Sequence, residues 1–163
     1  MKKAINKIAI ITVLFFGITS CENNGYEDYE QKKSPSGDLN GEWYINIIEE
    51  SSGSVEVEHA LHYTYDSNDG KLWIDDKKHG WYLKGKSNFD VNNLTFSVSA
   101  EDNLNDLGSK FTITEGKILK NAAKSKTGVV TDSIYFKAEF DYDPGVIYIH
   151  SGHRRTGFEE DEY

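Results

Sequence analysis

Ile134-Tyr135-Phe136-Lys137-Ala138-Glu139-Phe140-Asp141-Tyr142 alternates with a period of two: Ile134, Phe136, Ala138, Phe140 and Tyr142 fall on one side, and Lys137, Glu139 and Asp141 on the other. Successive side chains of an extended chain point to opposite faces, so this is a strand with one buried face. Asp143-Pro144-Gly145 then turns the chain, and Val146 to His150 returns as a hairpin partner. Working outward, further runs rich in Val, Ile, Thr, Tyr, Phe and Trp lie at Gly41–Glu49, Val55–Tyr65, Lys71–Asp75, Trp81–Lys86, Leu94–Ser99, Lys110–Thr114 and Lys117–Lys120. Asp69-Gly70, Lys78-His79-Gly80, Asn92-Asn93 and Glu115-Gly116 separate them as turns. No long stretch has helical periodicity. The expectation is an all-β, antiparallel up-and-down barrel of about eight strands, because closure is the simplest way to hide the edges of a meander. Asn121 to Asp132 reads as an irregular insertion over the rim, with a helical turn open to Asn121–Lys124.

The first twenty residues have a different character. Lys2, Lys3 and Lys7 precede an apolar run from Ile8 to Ile18, the layout of a secretory signal. Ile18-Thr19-Ser20-Cys21 resembles the bacterial lipobox, which implies a lipid attached to Cys21, the chain's single cysteine. Several acyl chains together hold a protein on a membrane essentially permanently. Glu22 and the acidic stretch to Glu30 resemble outer-membrane and surface-export signals, so the expected location is the outer membrane, on its periplasmic or cell-surface face. Residues 1–20 are thus read as a signal peptide, 21–38 as a lipidated tether and 39–163 as the barrel domain. With one cysteine, a disulfide framework is excluded and the fold must rest on its core.

The chain carries a formal net charge of −9, and loss of the three leader lysines makes the exported form three units more negative. That disfavours nucleic acid as a partner, since phosphates are repelled. The expected protein is a monomer without cofactor or metal. His59 and His62, like His150 and His153, are three apart, which places each pair on opposite faces of a strand and unsuited to sharing zinc. Asp66-Ser67-Asn68-Asp69-Gly70 has the look of a calcium loop but lacks the distal acid, and reads as a hairpin turn.

Gly41-Glu42-Trp43 resembles the start of the first strand in lipocalins and related calycin barrels. That resemblance implies an arginine from the last strand lying across the tryptophan, and the only two arginines are Arg154 and Arg155. Guanidinium on indole is a strong cation–π pair. Either could close the barrel on Trp43, and a carboxylate-binding pair at a ligand mouth is the rival role. Phe111-Thr112-Ile113-Thr114-Glu115-Gly116-Lys117-Ile118, Asp132-Ser133-Ile134 and Gly152-His153-Arg154-Arg155-Thr156-Gly157-Phe158-Glu159-Glu160-Asp161, together with Asn93-Leu94-Thr95-Phe96, resemble the Bacteroidota family called lipid-binding putative hydrolases. The resemblance implies a lipocalin-like barrel on a lipoprotein anchor, binding a lipid or other apolar small molecule.

Hydrolysis has little support in the residues: there is no Gly-x-Ser-x-Gly elbow, and Ser133, Ser151 and His153 lack a placed partner. Aromatic residues make up 13% of the chain, so many that the barrel must use them for core or for ligand. Tyr63, Trp73, Trp81, Phe96, Phe136 and Phe140 are the candidate ligand-binding set. Coplanar outward aromatics such as Trp73, Trp81 and Tyr82 would point instead to a surface glycan-binding lipoprotein. A filled barrel would suit an interaction or inhibitor module.

Overall fold

A computed structural model of the protein describes residues 34–163. The residues read as a signal peptide, Cys21 and the expected tether as far as Lys33 lie outside the described residues. Eight antiparallel strands close into a barrel in sequence order: β1 (Gly41–Glu49), β2 (Val55–Asp66), β3 (Leu72–Asp75), β4 (Lys84–Asp90), β5 (Thr95–Asp102), β6 (Lys110–Lys124), β7 (Val130–Phe140) and β8 (Tyr148–Arg154). Closure is made by β1 against β8, in unbroken register from Trp43 opposite Arg154 to Glu49 opposite Tyr148.

The inward face follows from the two-residue alternation. Trp43, Ile45 and Ile47 of β1 are fully buried, as are Leu72 and Ile74 of β3 and Ile134, Phe136, Ala138 and Phe140 of β7. Where an aromatic ring needs room, a glycine faces it. A side chain at Gly116 would come within 2.3 Å of the Phe96 carbonyl oxygen and 2.5 Å of the Phe96 ring, so only glycine lets β5 and β6 approach there.

Three expectations are corrected. Glu115-Gly116 is not a turn between two strands but an irregularity within a single fifteen-residue β6, with Glu115 at φ +55°. Asn121–Lys124 is not a helical turn: β6 runs through to Lys124, because Asp132 accepts the Asn121 amide at 3.0 Å and the long β6–β7 hairpin continues past that point. The fourth strand starts at Lys84, not Trp81, because residues 76–83 fold over the end of the barrel.

At the end where β1 begins, residues 34–40 pack against the barrel. Ser34 donates to Asp66 at 2.7 Å, Ser36 to Asn40 at 2.6 Å, and Leu39 is fully buried, so this part of the expected tether belongs to the folded unit. The Arg154 guanidinium carbon lies 4.4 Å from the centre of the Trp43 ring, while Nη1 donates to the Asn40 carbonyl at 2.8 Å. Arg155 turns the other way and donates to Glu42 at 2.6 Å and Glu162 at 2.8 Å. The alternation of β8 makes this choice, since Arg154 shares the inward face with Gly152 and His150.

Candidate functional site

The residues read as ligand-binding divide by direction. On β2 the inward positions are Ala60, His62 and Thr64, which leaves Tyr63 and Tyr65 outside; on β3 Leu72 and Ile74 point in and Trp73 out. Trp73 stacks on Tyr65 with ring centres 6.2 Å apart, and Lys86 and Lys84 lie over it at 4.9 and 5.6 Å. Phe96, Phe136 and Phe140 are all inside: Phe96 meets Phe136 edge to face at 5.7 Å, and Phe140 meets Tyr148 at 6.1 Å. Trp81, on the loop between β3 and β4, covers the same Tyr148 ring at 4.9 Å. Phe96 and Phe136 thus make one aromatic contact inside the barrel, and Phe140, Tyr148 and Trp81 form a second group that ends at the loop, while Tyr63 and Trp73 have no part in either.

Beside Phe136 lies a polar pair that sequence reasoning missed. His62 and His150 are buried inside the barrel with ring centres 5.8 Å apart, and His150 stacks on Phe136 at 4.4 Å. Neighbours along one strand were the wrong ones to test. The available signal was that each histidine shares a face with residues that must point inward, His62 with Thr64 and His150 with Tyr148. His62 Nδ1 lies 3.0 Å from the Ala60 carbonyl and His150 Nδ1 3.2 Å from that of Tyr148. Burial pulls both rings below the usual histidine range, His150 to about 3 with the neighbouring His62 ring adding to the effect. Both are neutral at pH 7.

Above them, residues 76–83 cap the barrel. Asp76 is buried; its Oδ1 accepts from the Lys78 amide at 2.8 Å and from Asn105 at 2.9 Å, while its Oδ2 has no protein partner. Asp75, also buried, is salt-bridged by Lys84 at 2.9 Å and Lys77 at 3.0 Å and accepts from Tyr65 at 3.1 Å. Burial pushes its carboxyl up, but these bonds outweigh it and hold the group at about 2. Lys77, Lys78 and Tyr82 adopt positive φ of 48°, 65° and 55°, conformations that non-glycine residues rarely take. The cap thus carries backbone strain that its contacts must offset.

A pocket of about 360 Å³ opens on this cap, lined by Gly80, Trp81, Tyr82, Asp106 and Tyr142. Around the same loops Leu104, Leu107, Tyr82 and Tyr142 are exposed, Leu107 by 83%. A larger hollow, about 510 Å³, lies on the wall of β4, β5 and β6. Phe89, Phe96 and Gly116 line it together with Asn88, Asp90, Thr95, Ser97, Glu115 and Lys117, so the candidate ligand residue Phe96 borders this hollow too. The loop end is the better candidate because aromatic groups, buried hydrogen-bonding atoms and strain converge there. Among the described residues, no cluster of three or more His, Cys, Asp or Glu is placed to hold a metal ion.

The fold is a closed eight-stranded antiparallel up-and-down barrel with an arginine-capped tryptophan at one end and an aromatic loop cluster at the other. The chain belongs to the family described as lipid-binding putative hydrolase, whose model matches residues 28–159. Comparison with curated proteins gave no match.

Proposed function

We propose that this protein is a lipoprotein, anchored through Cys21 to the outer membrane, whose barrel binds an amphipathic lipid-like molecule at its loop end without chemistry of its own. The observation that carries the reading is the pocket of Trp81, Tyr82 and Tyr142 set over the buried pair His62 and His150. It offers apolar surface for a chain and hydrogen-bonding atoms for a head group, the combination a small-molecule site requires. Membership of a lipid-binding family supports the ligand class. Binding is favoured over hydrolysis because the inward hydroxyls of Thr64 and Ser87 are committed to the Leu39 and Leu72 carbonyls. The chain enters the described fold at Ser34, at the Trp43 end.

Isothermal titration calorimetry with a short-chain phospholipid tests the site. Trp81→Ala and Tyr142→Ala should each weaken binding by about tenfold, as loss of an aromatic contact of roughly 1.4 kcal/mol would. Unchanged affinity in both would move the site elsewhere. A second reading, a carbohydrate platform, has the outward Tyr65–Trp73 pair, whose planes lie within 29° of each other. Loss of oligosaccharide binding in Trp73→Ala, with lipid binding absent, would favour it. For the anchor, Cys21→Ser should leave an uncleaved or soluble precursor, and normal processing into the membrane fraction would refute it.

A further inference from the structure

We infer that the loop-end site selects an amphiphile whose head group donates hydrogen bonds, an alcohol or an ammonium, and discriminates against a carboxylate. The inference rests on the reading that this end of the barrel binds lipid. Its basis is the set of buried side-chain atoms that no protein group satisfies: His62 Nε2, His150 Nε2, Asp76 Oδ2 and Asn103 Nδ2. A carbonyl can only accept, so the Nδ1 atoms facing Ala60 and Tyr148 carry the protons, and each Nε2 presents a lone pair. Asp76 Oδ2 is likewise an acceptor.

Three of the four unsatisfied atoms are therefore acceptors: those of His62 and Asp76 lie beneath Gly80, and the His150 ring adjoins that of His62 at 5.8 Å. The fourth, a donor, belongs to Asn103 on the loop between β5 and β6, where its Oδ1 takes the amides of Lys84 and Asn105, each at 3.1 Å. Gly80 stands between the pocket and two of the acceptor-bearing side chains, His62 and Asp76. It lines the pocket, and a side chain there would come within 3.1 Å of His62 Cε1 and 3.3 Å of Asp76 Oδ2.

Burying an acceptor without a donor costs free energy, and a bound hydroxyl or ammonium recovers it. A carboxylate head would face two lone pairs and the charge of Asp76, with nothing to donate in return. The tail of the same molecule would lie against Trp81, Tyr82 and Tyr142, outside the filled interior.

The test compares 1-decanol, decylammonium and decanoate at pH 7.5, below their aggregation concentrations, by isothermal titration calorimetry and by the ¹⁵N resonances of the two histidines. Decanol and decylammonium should bind at least tenfold more tightly than decanoate, and the Nε2 resonances of His62 or His150 should move on their addition. His62→Leu and His150→Leu should bring the three ligands within about threefold of one another. Equal or tighter binding of decanoate, or Nε2 resonances unmoved at saturation in the unmodified protein, would overturn the inference while leaving lipid binding intact. Failure of all three to bind would overturn the lipid-binding reading itself, and this inference with it.

Discussion

Replacing Arg154 with alanine should be among the most damaging changes outside the apolar core, and its size can be worked from the contacts. The guanidinium covers the Trp43 ring at 4.4 Å, donates to the carbonyls of Asn40 at 2.8 Å and Asp38 at 3.2 Å, and meets Asp132 at 3.2 Å. A largely desolvated cation–π contact contributes about 2 kcal/mol, and the charge-assisted carbonyl bonds about another 1 kcal/mol between them after allowance for partial exposure. The loss of about 3 kcal/mol corresponds to a fall in Tm on the order of 10 °C for a domain of this size. Arg154→Lys should recover less than half, because an ammonium cannot lie flat on indole while bonding two carbonyls. Arg155→Ala should cost about 1 kcal/mol or less, since its pairs with Glu42 and Glu162 are half exposed. Urea unfolding of Trp43→Phe, Arg154→Ala and the double variant gives the coupling directly, with about 1 kcal/mol expected because phenylalanine keeps a weaker π face. Coupling below about 0.5 kcal/mol, the scatter of independent sites, would refute the claim that this contact closes the barrel.

Gly116→Ala should destabilise by about 3 kcal/mol, because the new carbon meets a backbone oxygen that cannot move aside; urea unfolding near wild-type values would show that β5 and β6 are further apart. The neutral, buried His150 predicts acid sensitivity. Its folded pKa of about 3 lies below the unfolded 6.5, so the unfolded chain binds the proton first and stability is lost as pH falls from about 6.5 toward 3, by roughly 1.4 kcal/mol per unit. His150→Phe should flatten that slope between pH 7 and 5, and an unchanged slope would mean the ring is hydrated. Asp161 is buried; burial pushes its carboxyl up, but bonds from Thr127 and Thr156 outweigh this and hold it below its usual 3.8. Its contribution is therefore full above pH 3.8 and lost below. Asp161→Asn should speed exchange of the Thr127 amide, which donates to it at 2.8 Å, and unchanged exchange would contradict that role.

The parts of this fold legible in the sequence were those set by local alternation. Ile134 to Phe140 shows its buried face directly, and Gly41–Glu49 could be bounded to the residue because its inward Trp43, Ile45 and Ile47 recur at spacing two. The rest depended on groups far apart in the chain. Glu115-Gly116 has turn composition, yet the chain runs on as β6 because Phe96 occupies the space a side chain at Gly116 would need. Trp81 and Tyr82 have strand propensity, yet the cap residues leave the sheet: Asp76 is held by Asn105 from another loop, and Trp81 finds its apolar partner in Tyr148.

The polar centre illustrates the same limit and explains why it matters for function. His62 lies beside Trp43 across one edge of β1, and His150 beside Ile47 across the other. Only closure of the sheet sets the two rings face to edge, so no spacing within one strand could announce them. An apolar pair of similar size would avoid the cost of burying their unsatisfied nitrogens. The barrel instead keeps two lone pairs and a carboxylate oxygen under its strained loop, next to its exposed aromatic residues. Thr64, Ser87 and Thr131 also point inward, but their hydroxyls are bonded to main-chain carbonyls, so the unsatisfied atoms of His62, His150 and Asp76 are the structural argument for placing a ligand's head group at the loop end.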